Sequence, residues 1–301
     1  MKYMKINISP KICDIIIPTK NRSNFLNRCV ESIYKSVSFR DDLFNIIVSD
    51  NNSTDGTDLI CNKFISKGNF YFLKQNEDIT GWENCYRLLC VSQSKFILVF
   101  SDHVLIEDLD FFDKIVMSLN FNSDLYFVPA VRNRVNLKSK KVSSKLNLLS
   151  QLFISHRFYF MSGQIISREL LCQKREALKF NAYLFFYFYI LNLNKKKYVI
   201  RINTFLKYES FHMQNRSWQY GDNGLLLDKL DLINGVNSVL IRYFLIFKLL
   251  IESYSVIPHI GLVNYKNTVL KISPKSGIIF YYYFLFLYVF KTRVKLFLNS
   301  I

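Results

Sequence analysis

The sequence predicts an α/β fold, a mostly parallel sheet with helices on both faces, followed by a helical C-terminal part. Three observations carry this. Short apolar, β-branched runs alternate with stretches of helical periodicity through the first 110 residues, and such alternation builds a parallel sheet buried on both sides. Polar residues cluster directly after each apolar run, where an open parallel sheet gathers its ligands, beyond the carboxyl ends of its strands. The 301 residues are 50% hydrophobic, which rules out disorder and allows a sizeable core.

Taken in order, Ile15-Ile16-Ile17 reads as a first buried strand stopped by Pro18. Ser23 is placed to cap the helix that follows, whose Phe25, Leu26, Cys29, Val30 and Ile33 recur at helical spacing. A second strand runs over 44–48, and a polar loop from Asp50 to Gly56 leads into a helix over about 57–65. The third strand is 70–73, followed by Gly81 and a helix reaching roughly Leu89. The fourth, 96–100, ends at Ser101-Asp102-His103, and a further strand covers 125–128. The Lys/Arg-rich stretch from Arg132 to Lys145 reads as an exposed loop.

The polar groups thus fall at four strand ends: Thr19 to Arg22, Asp50 to Asp55, Asn76 to Asn84 and Ser101 to His103. Neither GxGxxG after the first strand nor GxxxxGK[ST] anywhere is present, which disfavours a Rossmann dehydrogenase or a P-loop ATPase. Asp55 stands before a helix in an N-cap pattern and is expected to be structural.

Pro18-Thr19-Lys20-Asn21-Arg22, Asp50-Asn51-Asn52-Ser53-Thr54-Asp55, the Asn76 to Asn84 segment around Gly81, and Ser101-Asp102-His103-Val104-Leu105 together resemble the family 2 glycosyltransferases of the GT-A, Rossmann-like fold. The subgroup most similar in its Ser-Asp-Asp-Val-Leu pattern is that of O-antigen sugar transferases related to abequosyltransferase. The resemblance implies a nucleotide-sugar site made of Pro18, Thr19, Asn21, Arg22, Asp50, Asn52, Asn84, Ser101 and Asp102. Asp50 would bind the base or ribose, and Thr19 and Arg22 would line the base pocket. Asp102 would hold a divalent ion, Mn2+ or Mg2+, that neutralises the departing diphosphate. His103 stands where the subgroup carries a second Asp; it reads as a metal ligand or diphosphate contact, as a loop residue, or as a mark of lost activity. Glu107 and Asp108 follow as substitute ligands or as helix-terminal carboxylates.

Residues 158–166 resemble the family's late strand, with Ser162-Gly163 as a small-residue turn that lets the donor sugar approach or as a simple bulge. The acceptor hydroxyl needs a base, but the region where the family supplies one, Lys179 to Tyr183, contains no acid. The catalytic base is unassigned, with His156, Glu209, His212 and Asp222 as candidates. Gly163, Arg216 and Trp218 are acceptor-side candidates, Trp218 as a stacking platform and Arg216 as a phosphate contact.

Charge divides the chain. Residues 1–130 hold 14 Lys+Arg against 16 Asp+Glu, a net of −2, while residues 131–301 hold 26 against 7, a net of +19. The reading is a glycosyltransferase domain over 1–215 and a helical, basic, aromatic region over 216–301. Residues 278–290 are an unbroken apolar and aromatic run flanked by Lys275, Lys291, Arg293 and Lys295. At about 1.5 Å per residue it falls short of a ~30 Å hydrocarbon core. With 239–251 and 182–191 it suits the surface of an anionic membrane. No helix-turn-helix, RNP or zinc pattern accompanies the cations, so nucleic acid is not an expected partner. The six cysteines form no CxxC pair and the N-terminus lacks a signal-peptide core, which fits a reduced, cytoplasmic chain on the inner face of the membrane. The expected activity is transfer from a nucleotide-sugar donor to a lipid-linked saccharide acceptor. The alternative is a catalytically silent relative that binds or assembles a polysaccharide complex.

Overall fold

The computed structural model describes residues 8–121, 123–131, 141–148, 150–151, 162–172, 184–194, 198–209, 237–238 and 245–246. The chain divides into two compact units, Met1–His212 and Met213–Ile301. The strands and helices that position the site belong to the first.

Its elements run β1 (Cys13–Thr19), α1 (Ser23–Lys35), β2 (Phe44–Asp50), α2 (Thr57–Asn62), a 3-10 turn (Ile65–Lys67), β3 (Phe70–Lys74), α3 (Gly81–Val91), β4 (Phe96–Val99), β5 (Val104–Leu105), α4 (Phe111–Leu119), β6 (Leu125–Phe127), β7 (Ala130–Val131), β8 (Ser143–Leu146), β9 (Gln164–Ser167), α5 (Arg168–Cys172), α6 (Leu184–Asn194), β10 (Val199–Ile202) and β11 (Leu206–Tyr208). The main sheet has the order β3-β2-β1-β4-β9-β6-β10-β8, and a small second sheet the order β5-β11-β7. β1 to β4 are parallel, as are β6 and β10, so the carboxyl ends of the first four strands share one edge. β9 enters antiparallel between β4 and β6.

Burial explains the strands. Every residue of β2 is buried, as near-continuous apolar runs require when both faces of a sheet are covered. Ile15, Ile17, Ile46 and Val48 pack with Leu26, Cys29, Val30 and Ile33 of α1 in one cluster, and each such fully buried aliphatic side chain contributes about 1.5–3 kcal/mol. Side chains alternate across a strand, so Ile16 and Ile47, also buried, face the other side, where α3 covers β1 and β2. Phe39, Phe44 and Phe112 close one end of the core with ring centroids 4.9–5.9 Å apart.

Three expectations need correction. Pro18 does not stop β1, which runs on to Thr19 paired with Asp50. β4 pairs with β1 only as far as Ile16 opposite Val99, so a residue without an N–H is tolerated there. The stretch from Arg132 to Lys145 is not all loop, because Ser143–Leu146 forms edge strand β8 against β10. Edge strands carry lysines readily, and Lys145 lies over the Phe121 and Tyr198 rings at 5.9 and 5.6 Å. Finally, α6, which overlaps the third proposed membrane stretch, buries Phe188, Tyr189 and Ile190 of it and Leu193 beyond it. A helix apolar all round belongs to a core. The stretches 239–251 and 278–290 lie outside the described residues, save 245–246. Among the described residues no helix is long and apolar enough to cross a membrane.

All six cysteines are unpaired, and five of them are buried. Burial pushes the Cys61 and Cys85 thiols up to about 12, the Asp50 charge adding to the effect at Cys61. Packing, not chemistry, accounts for the five buried ones.

Candidate active site

Two loops at the carboxyl edge are bolted together. After β1, the Asn21 N–H donates to Ser53 Oγ at 2.7 Å, and Asn21 Oδ1 accepts from the Thr54 N–H at 2.8 Å. Asn21 and Asn52 sit at φ of 50° and 56°, a left-handed conformation asparagine tolerates better than most side chains. Asp55 completes the joint. Its Oδ2 accepts from the Ser23 N–H at 2.7 Å, and its Oδ1 from the Thr57 N–H at 3.2 Å and the Thr57 hydroxyl at 2.5 Å.

Ser23 and Thr57 are the first residues of α1 and α2, so one carboxylate caps two helices. Ser23 itself is not the cap expected from the sequence; Arg22 holds that position with no side-chain capping bond. Burial works to raise the Asp55 carboxyl, but the Ser23 and Thr57 donors outweigh it and hold it below its ordinary value. That contribution to stability is therefore complete above the usual carboxylate range and disappears as pH falls through the lowered value. Asp55→Ala is expected to cost about 1–2 kcal/mol at neutral pH. In urea melts the gap from the parent protein should narrow in acid; a gap that is constant with pH would contradict the double cap.

Asp50 ends β2 fully buried. Its Oδ1 accepts from the Ser53 N–H at 3.1 Å, and its Oδ2 is buried with no hydrogen-bond partner among the described residues. An unpaired buried carboxylate oxygen is costly. A ligand's N–H or O–H would satisfy it.

Thr19 and Arg22 do not join Asp50. Both turn to Asp102, whose side chain is 1% exposed: the Thr19 hydroxyl donates to Oδ2 at 2.8 Å, and the Arg22 guanidinium to Oδ1 at 3.1 Å. His103 Nδ1 lies 3.2 Å from the same Oδ1. The imidazole stacks on Tyr208 with centroids 5.2 Å apart and planes 21° apart. β11 brings Tyr208 here by pairing with β5, and the Glu209 N–H donates to the His103 carbonyl at 3.0 Å. The Glu209 carboxylate accepts from Arg28 at 2.9 Å, and the Arg28 guanidinium covers the Phe25 ring at 4.9 Å. Sequence reading did not name Arg28 and could not place Tyr208 against His103, since strand pairing across a hundred residues brings that ring there.

Other candidates are spent on the scaffold. Asn84 is buried, accepting from the Ser49 hydroxyl at 2.5 Å and donating to the Ser49 carbonyl at 3.0 Å, so it pins α3 to β2. Ser101 receives Ser162: the Ser101 N–H donates to Ser162 Oγ at 2.7 Å and the two hydroxyls lie 2.6 Å apart. Gly163 has φ +85°, and a Cβ there would lie 2.1 Å from the Val128 carbonyl oxygen. The backbone, rather than an approaching sugar, accounts for that glycine. Glu107 pairs with Lys207, and Asp108 with Lys114 and the Thr204 hydroxyl, so neither is turned toward Asp102 as a substitute ligand. His156, His212, Arg216, Trp218 and Asp222 lie outside the described residues.

A divalent ion suits this donor set in kind. A carboxylate offers about four lone-pair positions, of which three are used at Asp102. An imidazole held by a carboxylate through one nitrogen is the usual arrangement of a ligating histidine, and a carboxylate with an imidazole suits Mn2+ better than Mg2+. Among the described residues no group of three His, Cys, Asp or Glu side chains converges. The remaining coordination would have to come from the donor and from water.

A family model described as glycosyl transferase family 2 matches residues 14–180, more than half of the chain. Among solved structures, S. aureus TarS 1-349 is 15% identical, with 88% of this chain and 73% of that chain covered and a TM-score of 0.59. The same protein in complex with UDP-GlcNAc is 18% identical over 90% of this chain and 86% of that one, TM-score 0.57. The mannosyltransferase PcManGT from Pyrobaculum calidifontis in complex with GDP-Man and Mn2+ is 12% identical over 89% and 78%, TM-score 0.60. At such identities the likeness shows the fold, the GT-A-like α/β architecture. Comparison with curated protein sequences finds no match.

Proposed function

The chain belongs to glycosyl transferase family 2, and on that premise we propose that it moves a sugar from a nucleotide-sugar donor to a lipid-linked saccharide acceptor. The setting would be synthesis of a bacterial surface polysaccharide, in the manner of the O-antigen transferases of the abequosyltransferase type. The observation that carries the reading is the meeting, at one sheet edge, of an unpartnered buried carboxylate oxygen on Asp50 and the Thr19–Arg22–Asp102–His103 cluster.

Asp50 Oδ2 accepts from the nucleotide. Asp102 and His103 would hold Mn2+, which when bound neutralises charge on the diphosphate. Arg22, partly exposed at 32%, offers a second positive charge to the phosphates. As the acceptor oxygen bonds to the anomeric carbon, the bond from that carbon to the phosphate oxygen breaks, and the acceptor's proton passes to a base. Glu209, beside His103 and oriented by Arg28, is the described candidate for that base. The rear part of the chain, net +19 over residues 131–301, would rest on anionic lipid. Flotation should then be stronger on anionic than on neutral vesicles, and equal flotation would remove that role.

The second reading, a silent relative, is favoured by the histidine at position 103 and by the absence of an acid from Lys179 to Tyr183. Turnover separates the two. Purified protein with Mn2+ and a panel of nucleotide sugars should hydrolyse at least one slowly and transfer it to a lipid-linked acceptor. Folded protein that turns over no donor would support the silent relative.

A further inference from the structure

Asn51 is 4% exposed, and its bonds join three loops of the donor edge. Its backbone N–H donates to the Thr19 carbonyl at 2.9 Å, extending the β1–β2 ladder one step past the strand ends. Its side chain turns to the segment between β3 and α3. Nδ2 donates to the Ile79 carbonyl at 2.6 Å, and Oδ1 accepts from the Ile79 N–H at 2.9 Å. A single planar amide thus satisfies both backbone groups of one residue, as a neighbouring strand would.

The ends of that segment are held separately. The Gln75 N–H donates to the Asp50 carbonyl at 2.9 Å, and Gln75 Nε2 to the Ser49 hydroxyl at 2.9 Å. At the far end Thr80 caps α3 through the Glu83 N–H at 3.1 Å. Between them the Asn51 amide is the buried anchor. The other ties between them, Lys20 at 2.8 Å and Asn52 to Asp78 and Arg87 to Glu77 at 3.7 Å, all end on exposed carboxylates and contribute little in water. Ser49 and Asn51, the two neighbours of Asp50, therefore both grip residues 75–79 while Asp50 keeps its unpartnered oxygen.

Resting on the donor-site reading above, we propose that Asn51 is a positioning residue that holds residues 75–80 as a preformed wall of the donor crevice and so sets nucleotide affinity without touching the nucleotide. Without the amide, the Ile79 N–H and C=O turn to water, and the segment must be ordered anew each time a donor binds. Preorganisation of this kind appears in affinity rather than in the bonds of the complex.

The test is calorimetric titration of UDP and GDP, with Mn2+ present, into the full chain as parent, Asn51→Ala and Asn51→Asp, at a temperature well below each variant's Tm. Asn51→Ala removes both bonds; Asn51→Asp keeps the volume and the acceptor for the Ile79 N–H but loses the donor. The nucleotide that the parent prefers should bind about tenfold more weakly to Asn51→Ala, with a matching rise in donor KM and little change in kcat. If Asn51→Ala does not fold, Asn51→Asp decides, with at least about a fivefold loss expected. A merely structural amide would lower Tm and leave Kd within about twofold of the parent; that result in a folded variant overturns the positioning role alone. A parent protein that binds neither nucleotide overturns the donor-site reading itself, and the positioning role with it.

Discussion

Asp102→Ala is expected to lower glycosyl transfer by about 10²- to 10³-fold or more, the range seen when a single preorganised charge-stabilising group is removed from an active site. Thr19, Arg22 and His103 all contact Asp102, at 2.8, 3.1 and 3.2 Å. Its removal deprives the Thr19 hydroxyl of an acceptor, breaks the Arg22 ion pair and leaves the imidazole without its orienting carboxylate. Asp102→Asn, which keeps the shape and one acceptor oxygen, separates chemistry from folding. It should fold with a modest drop in Tm yet remain at least about 10²-fold slower. Steady-state assays beside thermal melts check this, and an asparagine variant retaining most of its turnover would take Asp102 out of the machinery.

Gly163→Ala should be the most damaging small substitution in the described part of the chain, costing about 3 kcal/mol or more. Two effects add. At φ +85° an L side chain is strained, and the new Cβ would stand 2.1 Å from the Val128 carbonyl oxygen. Neither backbone can retreat, because the Gly163 N–H donates to the Val99 carbonyl at 2.9 Å and the Val128 N–H to the Gly163 carbonyl at 2.8 Å. The damage should spread to the site, since Ser162 next door bonds Ser101 just before Asp102. Urea melts give the cost directly. A loss below about 1 kcal/mol would mean that the β4–β9–β6 crossing is looser than its bonds imply.

β1 to β4 were legible because each is an apolar run with polar residues at its end, and burial on both faces writes that pattern into the sequence. β9 was not, in its place: Gln164 to Ser167 reads as a strand, but nothing local says that it enters antiparallel between β4 and β6. The same limit hid how Tyr208 and Glu209, the latter already a base candidate by residue type, approach His103, which depends on β11 pairing with β5. Residue type foretold that Asp55 would cap a helix, while geometry alone adds that it caps two. Asn84 and Gly163 show the converse, where a plausible site residue is consumed by the scaffold: a buried amide is satisfied by Ser49, and a glycine is demanded by Val128. Asp50 and Asp102, named from their strand ends, are buried at the edge where a ligand would meet them.

A crystal structure of the chain with a nucleoside diphosphate and Mn2+ bound is the most direct test of that edge as the donor site. The account predicts a nucleotide donor group on Asp50 Oδ2, the diphosphate beside Arg22, and the anomalous signal of manganese at Asp102 and His103. A nucleotide bound elsewhere, with Asp50 Oδ2 still unpartnered and Arg22 still on Asp102, would contradict it.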